Sequence, residues 1–251
     1  LSEYYSEENA AYYYPERQEC NHDIDIIGWD DHYPKENFVT QPEGDGAFIC
    51  KNSWGADFGQ NGFFYISYYD QNIGVYGVAY TGVESADNYD QIYQSDLLGW
   101  TGSIGYNEPL AWFSSVYQAE QTSTVQAAGF YATDADTYYD IYLVENFEGI
   151  EDMDRRVLLQ SGYIEDKGYY TIPLRNQQIV EGGERFAVIV QIYTKGSSHP
   201  VAIEYASNEL TSAADITDGE SYMSYNGNLW SHMEIASACN ACLKVYTDDA
   251  E

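Results

Sequence analysis

Apolar and polar residues alternate in short runs along most of the chain, and long helical patterns are scarce. "HDIDIIGW" places Ile24 and Ile26 on one face of an extended segment and Asp23 and Asp25 on the other. A loop carrying Pro34, Pro42 and Gly44 separates it from "GAFICKNSW". "NGFFYISYYD" then opens on Asn-Gly, a strong turn signal. The pattern predicts three strands within residues 21–69. Composition shifts at "TGVESADNYDQIYQ", which is polar, acidic and short of large aliphatics. The expected organisation is a first unit over 1–86, a linker over 87–94 and a second unit over 95–251.

The second unit reads as closely spaced short strands. "STVQAAGFYAT", "YYDIYLVENF", "VLLQSGYI", "GYYTIPL", "RFAVIVQIY", "PVAIEYA", "ESYMSYN", "NLWSHMEI" and "ACLKVYT" succeed one another. Turns such as "EDKG", "EGGE" and "TKGSS" lie between them. In "RFAVIVQIY", Phe186, Val188, Val190 and Ile192 share one face. This spacing predicts a β-sandwich or jelly roll. No repeat and no low-complexity tract is visible.

Charge narrows the partners. The net charge is −31, with ten Lys and Arg. Such a surface repels phosphate backbones and anionic membranes, so no nucleic-acid partner is expected. No run reaches the roughly 18–20 apolar residues of a membrane-spanning helix. Leu1 is not an initiator methionine, and "LSEYYSEENAAYYYPE" carries no basic leader, so the chain reads as a piece of a longer protein. Cys20, Cys50, Cys239 and Cys242 have no zinc spacing. Positions i and i+3 of a strand face opposite ways, so a Cys239–Cys242 bridge would need a bend. Both are expected as core or edge residues.

The candidate chemistry lies in the first unit. A histidine acts as a base when an acceptor on its other ring nitrogen fixes its tautomer. His22 heads one predicted strand and Asn52 ends a later one. If these strands pair antiparallel, the two side chains meet, with Trp54 close enough to cover them. A histidine and an asparagine that merely terminate strands are the ordinary alternative.

The match extends further. "NHDIDIIGWDD" followed by "AFICKNSWGADFGQNGFFYIS" resembles the C-terminal half of the papain-like cysteine peptidases. The resemblance implies that His22 is the catalytic histidine, Asn52 its orienting partner and Trp54 the indole that shields them. It implies substrate contact at Asn21, through its carbonyl, and at Thr81, near the base of a specificity pocket. Phe58 replaces a second tryptophan of that family, and Cys50 replaces an aliphatic residue. The family's nucleophile segment, of the form Q-x-x-C-G-S-C-W, is not found in these 251 residues. Cys20 adjoins Asn21-His22 but belongs to no such motif, and reads as structural.

From Tyr89 to Asp248 the chain resembles the lectin-like domain that follows the peptidase in surface peptidases of clostridia and related Gram-positive anaerobes. The fold class implied is mainly β: the β-rich C-terminal half of a papain-like fold, then a lectin-like, jelly-roll sandwich. The implied function is peptide-bond hydrolysis by a Cys-His-Asn mechanism in a secreted or surface-attached bacterial endopeptidase. Its partners would be a protein or peptide substrate, the thiol-bearing N-terminal half and a carbohydrate. The alternative is a non-catalytic carbohydrate-binding or spacer module carrying a peptidase remnant. Catalysis of this type requires no cofactor. "TDADTYYD" offers Asp134, Asp136 and Asp140, part of a calcium-site pattern without the full EF-hand spacing, so calcium enters as an expectation and its ligands stay open.

Overall fold

The computed structural model describes residues 2–218 and 220–250. The chain divides into two compact units, Leu1–Val83 and Glu84–Glu251. It is mainly β, the class expected from the strand-length patterning.

In the first unit, β1 (Tyr5–Ser6), β2 (Ala11–Tyr12), β3 (Asp25–Asp30), β4 (Ala47–Lys51) and β5 (Phe63–Ser67) form one sheet in the order β1-β2-β5-β4-β3. β4 pairs antiparallel with both β3 and β5. One small core gathers Ala11, Tyr13, Tyr33, Phe38 and Ala47, and another gathers Ala10, Cys50, Phe64 and Ile66. The predicted alternation in the His22 strand holds for a shorter stretch than expected. β3 begins only at Asp25, and its register shifts between Ile26 and Gly28, leaving Ile27 as the extra residue. Such a bulge resets which residues share a face.

The second unit runs through β6 (Gln91–Tyr93), β7 (Gly102–Ile104), β8 (Leu110–Gln118), β9 (Ser123–Ala132), β10 (Thr137–Val144), β11 (Val157–Ile164), β12 (Gly168–Val180), β13 (Arg185–Thr194), β14 (Val201–Glu204), β15 (Ser221–Ser224), β16 (Trp230–His232), a helical turn α1 (Met233–Ser237), β17 (Asn240–Ala241) and β18 (Leu243–Asp249). A six-stranded sheet, β11-β10-β13-β8-β15-β16, faces a four-stranded one, β12-β9-β18-β6. The core between them holds Phe113, Phe130, Leu143, Phe186, Val188, Val190, Ile192, Leu243 and Val245. A short third sheet, β17-β14-β7, adds Ile203 and Ala241 to that core. Phe186, Val188, Val190 and Ile192 all point inward, as their alternation predicts.

Three elements differ from the sequence reading. β8 shows no alternation because both of its faces are buried: Phe113 and Tyr117 point into the sandwich, while Trp112 and Val116 enter a second cluster on the outer side. That cluster also holds Val144, Phe147, Met153, Ala187, Ile189 and Tyr222. "NLWSHMEI" is a strand only over Trp230–His232, after which Met233–Ser237 turn helical and stop at Ala238, whose φ is 50°. Gln91–Tyr93, within the stretch read as a linker, is β6 and pairs with β18. Tyr93 packs edge-on against Phe186 at 5.3 Å, a contact that a three-residue strand in an acidic context does not announce.

Cys50, Cys239 and Cys242 are buried and free, and Cys20 is exposed and free. Burial pushes the Cys50 thiol up to about 12 and the Cys239 thiol up to about 11. These three behave as small hydrophobes.

Met153 is fully buried on the outer face of the six-stranded sheet. Met153→Ala should cost about 2–5 kcal/mol in urea unfolding, since it opens a cavity in the cluster that covers this face. Glu220 supplies a pH test. Burial, then the Asp218 and Glu234 carboxylates, push its pKa up to about 8, against the opposing pull of Arg185. The folded state therefore keeps a proton that the unfolded chain gives up near the ordinary value of 4.5. Stability should fall as pH rises between those values, and Glu220→Gln should flatten the dependence of the unfolding midpoint on pH.

Candidate active site

The β3–β4 register builds the site. Asp25 lies opposite Lys51, so the chain entering β3 and the chain leaving β4 emerge at the same end of the sheet. His22 and Asn52 are on those two emerging segments. His22 Nε2 and Asn52 Oδ1 are 3.0 Å apart, thirty residues distant in sequence. Asn52 is 6% exposed, and its backbone N–H donates to the Gly62 carbonyl at 2.9 Å. Gly62 belongs to a two-residue turn, Asn61-Gly62, with φ of 57° and 89°, across which Gln60 and Phe63 exchange backbone hydrogen bonds of 2.8 and 3.2 Å. Both turn residues need positive φ, which the Asn-Gly sequence supplies at low cost. The turn thus fixes the backbone that carries the acceptor.

The hydrogen bond also fixes the tautomer. Asn52 presents its amide oxygen, so neutral His22 holds its proton on Nε2. Nδ1 then carries the free lone pair, and it has no partner among the described residues. That arrangement suits a base acting toward the open side of the site.

Trp54 stacks on the imidazole, with ring centroids 4.9 Å apart and planes tilted by 31°. Phe58 meets the indole edge-on at 5.0 Å and packs in turn on Phe64 and Tyr5. The phenylalanine that stands in for a second tryptophan therefore keeps an aromatic wall. Trp54 is still 54% exposed, so only one of its faces is occupied.

Sequence reasoning missed Asp70 and Asn72, which hold the segment leading to His22. Asp70 accepts from the Tyr14 backbone N–H at 3.0 Å and from that of Asn72 at 2.8 Å. Asn72 accepts from the Gln18 N–H at 2.8 Å and donates to the Glu16 carbonyl at 2.9 Å. The signal was legible: "DQN" is an Asp-x-Asn pair of the kind that bonds neighbouring backbone.

His22, Asn21, Asn52 and Trp54 all line one open hollow of about 1400 Å³. Cys20 lines it too, with its thiol 3.4 Å from the Asn72 carbonyl. Thr81 is exposed on the irregular stretch that follows and is not among the lining residues. In the second unit, Asp136 accepts from the Tyr163 hydroxyl at 2.5 Å and pairs with Lys195 at 3.7 Å. Asp134 accepts from the Ala135 N–H, and Asp140 from the Tyr142 hydroxyl at 3.4 Å. Among the described residues no three or more His, Cys, Asp or Glu side chains gather as metal ligands.

Comparison with known proteins finds matches to both units. The model of the papain family cysteine proteases matches residues 3–83, and that of the lectin-like domain matches residues 92–247. No curated protein matches the chain in sequence. Among solved structures, the clostridial cysteine protease Cwp84 after propeptide cleavage superposes with a TM-score of 0.76 at 25% identity, over 99% of this chain and 63% of that one. The cysteine protease and lectin-like domains of Cwp84, a surface layer associated protein of Clostridium difficile, give 0.75 at 22% identity, over 100% and 57%. The present chain thus spans about three fifths of those relatives. The chain belongs to the lectin-like domain family through residues 92–247, and residues 3–83, which precede that unit, match part of the papain family peptidase domain.

Proposed function

We propose that this chain supplies the base side of a cysteine endopeptidase, with the nucleophilic thiol carried by sequence outside these 251 residues. The observation that carries the reading is the His22–Asn52 hydrogen bond of 3.0 Å beneath Trp54, with Nδ1 left facing an open cleft. Nδ1 takes the proton of the thiol, which attacks the scissile carbonyl as a thiolate. The imidazolium then protonates the leaving amine, and the acyl group remains as a thioester until water releases it. Asn52 holds the ring in one orientation through both proton transfers. Asn21 borders the same cleft, where its carbonyl contacts the peptide, and Thr81 is assigned to the specificity pocket on the family resemblance alone.

The thiols present argue for a nucleophile elsewhere. Cys50 is buried with its pKa driven up, the reverse of what a nucleophile needs. Cys20 is exposed and has no helix behind it to stabilise a thiolate. The open face supports the same reading. Ile26, Ile27, Trp29 and Trp54 are all more than 45% exposed, an apolar display that soluble proteins rarely leave uncovered. We assign the thiol-bearing half to that face.

For the second unit we propose carbohydrate binding, on its lectin-like fold and its surface aromatic residues. We propose a secreted or surface-attached setting, a reading supported by the resemblance to a surface layer associated protease. No helix of the described residues is long and apolar enough to cross a membrane.

The test uses the longer polypeptide that includes the thiol segment, with a fluorogenic peptide. His22→Ala should lower kcat by about 10²–10⁴ or more, and Asn52→Ala should lower it less. Full activity in His22→Ala would rule out the dyad. The present chain alone should show no turnover. Turnover that it does show, if it survives Cys20→Ser, would overturn the placement of the nucleophile outside the chain.

A further inference from the structure

The outer face of the six-stranded sheet is covered unevenly. Over its middle, Trp112, Val116, Ile189 and Tyr222 lie beneath Phe147 and Met153, contributed by the 145–156 segment. Gly227 closes over the Trp112 ring, where a Cβ would lie 2.8 Å from the indole. Beyond that cover, three tyrosines form one row. Tyr138 on β10 stands opposite Tyr163 on β11 and opposite Tyr193 on β13. The Tyr138 ring centroid lies 4.9 Å from that of Tyr163 and 6.4 Å from that of Tyr193, and the three residues are 55%, 47% and 41% exposed respectively.

The next row of the same face is polar. Asp140 stands opposite Ser161 on one side and Gln191 on the other. Hydrogen-bonding groups therefore run parallel to the rings, one row away. At the end of the tyrosine row, the Tyr163 hydroxyl donates to Asp136, which is paired with Lys195. This fixes one ring and leaves a charged pair at the surface beside it.

We infer that this row is the floor of a binding site for a neutral oligosaccharide, an inference that rests on the carbohydrate-binding reading of the second unit. Aromatic rings accept the apolar faces of sugars, while Ser161, Asp140 and Gln191 offer both donors and acceptors to hydroxyls. The outer two of the three strands are about 10 Å apart, the length of a short oligosaccharide. Asp136 and Asp140 at the site, on a chain of net charge −31, select against anionic glycans. Cross-strand tyrosine pairs also stabilise a sheet, but that role is served equally well by rings under cover. This row and the polar row beside it are left open where the middle of the face is closed.

The test is titration calorimetry on the full chain with cellohexaose, chitohexaose and mannohexaose, and with hyaluronan as the anionic comparison. At least one neutral hexasaccharide should bind and hyaluronan should not. Tyr138→Ala should weaken that binding about three- to tenfold, and Tyr138→Phe should retain most of it. Replacing all three tyrosines by alanine should abolish it. Threonine replacements, which favour strands, serve as the ring-free variants if the alanine protein does not fold. No binding by the unaltered chain to any of the three would overturn both this site and the carbohydrate reading. Binding unchanged in the triple variant would overturn the site and leave that reading standing. Preference for hyaluronan, or self-association that the triple variant removes, would show a different occupant and overturn the proposal.

Discussion

A β-sheet has two faces, and each apolar face must be taken out of water for the sheet to persist. Both units follow from that constraint. The six-stranded sheet of the second unit meets it on its inner side by the four-stranded sheet and over the middle of its outer side by the Phe147–Met153 cover. The single sheet of the first unit meets it in part, through two small clusters. Its β3 edge keeps Ile26, Ile27 and Trp29 in solvent. The same physical requirement explains the finished sandwich and supports assigning a covering partner to the first unit.

Register converts this scaffold into chemistry. An antiparallel pair with Asp25 opposite Lys51 brings the two flanking segments together whatever the length of the loop between them. The Asn61-Gly62 turn locks the Asn52 side, and the Asp70 and Asn72 side chains tie down the approach to His22. In the proposed role, an imidazole held from both directions needs little rearrangement when it gains or loses a proton. The half-exposed indole of Trp54 covers one side of the His22–Asn52 pair and leaves the other open to the hollow.

How much of this was legible depended on whether a residue's role was local. The meeting of His22 and Asn52 was legible because strand ends, spacing and the K-N-S-W-G segment are features of short sequence windows. The Asn61-Gly62 turn was legible because two residues carry the whole of its backbone requirement. The bulge at Ile27 was not, because nothing in "DIIGWD" marks which of two isoleucines is left unpaired. β8 was overlooked because burial on both faces erases the alternation by which strands are recognised. The helical turn at Met233–Ser237 broke a run that read as a strand, since a five-residue helix adds almost no period of its own. Thr81 was placed by family resemblance alone, and the structure leaves it outside the residues that line the cleft.

The abundance of tyrosine, 27 residues, raises the question of which are structural. Partnering of the hydroxyl and cover of the ring separate them. Tyr117 is buried, and its hydroxyl donates to the Leu243 carbonyl at 2.7 Å, tying the two sheets together. Tyr33 is buried, stacks on Tyr65 at 4.2 Å and donates to the Asn9 carbonyl. For such residues the ring fills space and the hydroxyl satisfies backbone, so burial incurs no unpaired polar group. Tyr138, Tyr163 and Tyr193 fail the cover criterion together and in register. Scattered exposed tyrosines would be unremarkable in so tyrosine-rich a chain. Three in one row, beside a polar row and at the border of a closed cluster, form a continuous amphipathic surface on a rigid sheet. A rigid surface of that kind loses little side-chain freedom when a ligand settles on it, and this is the physical reason for assigning recognition to the row rather than to the loops.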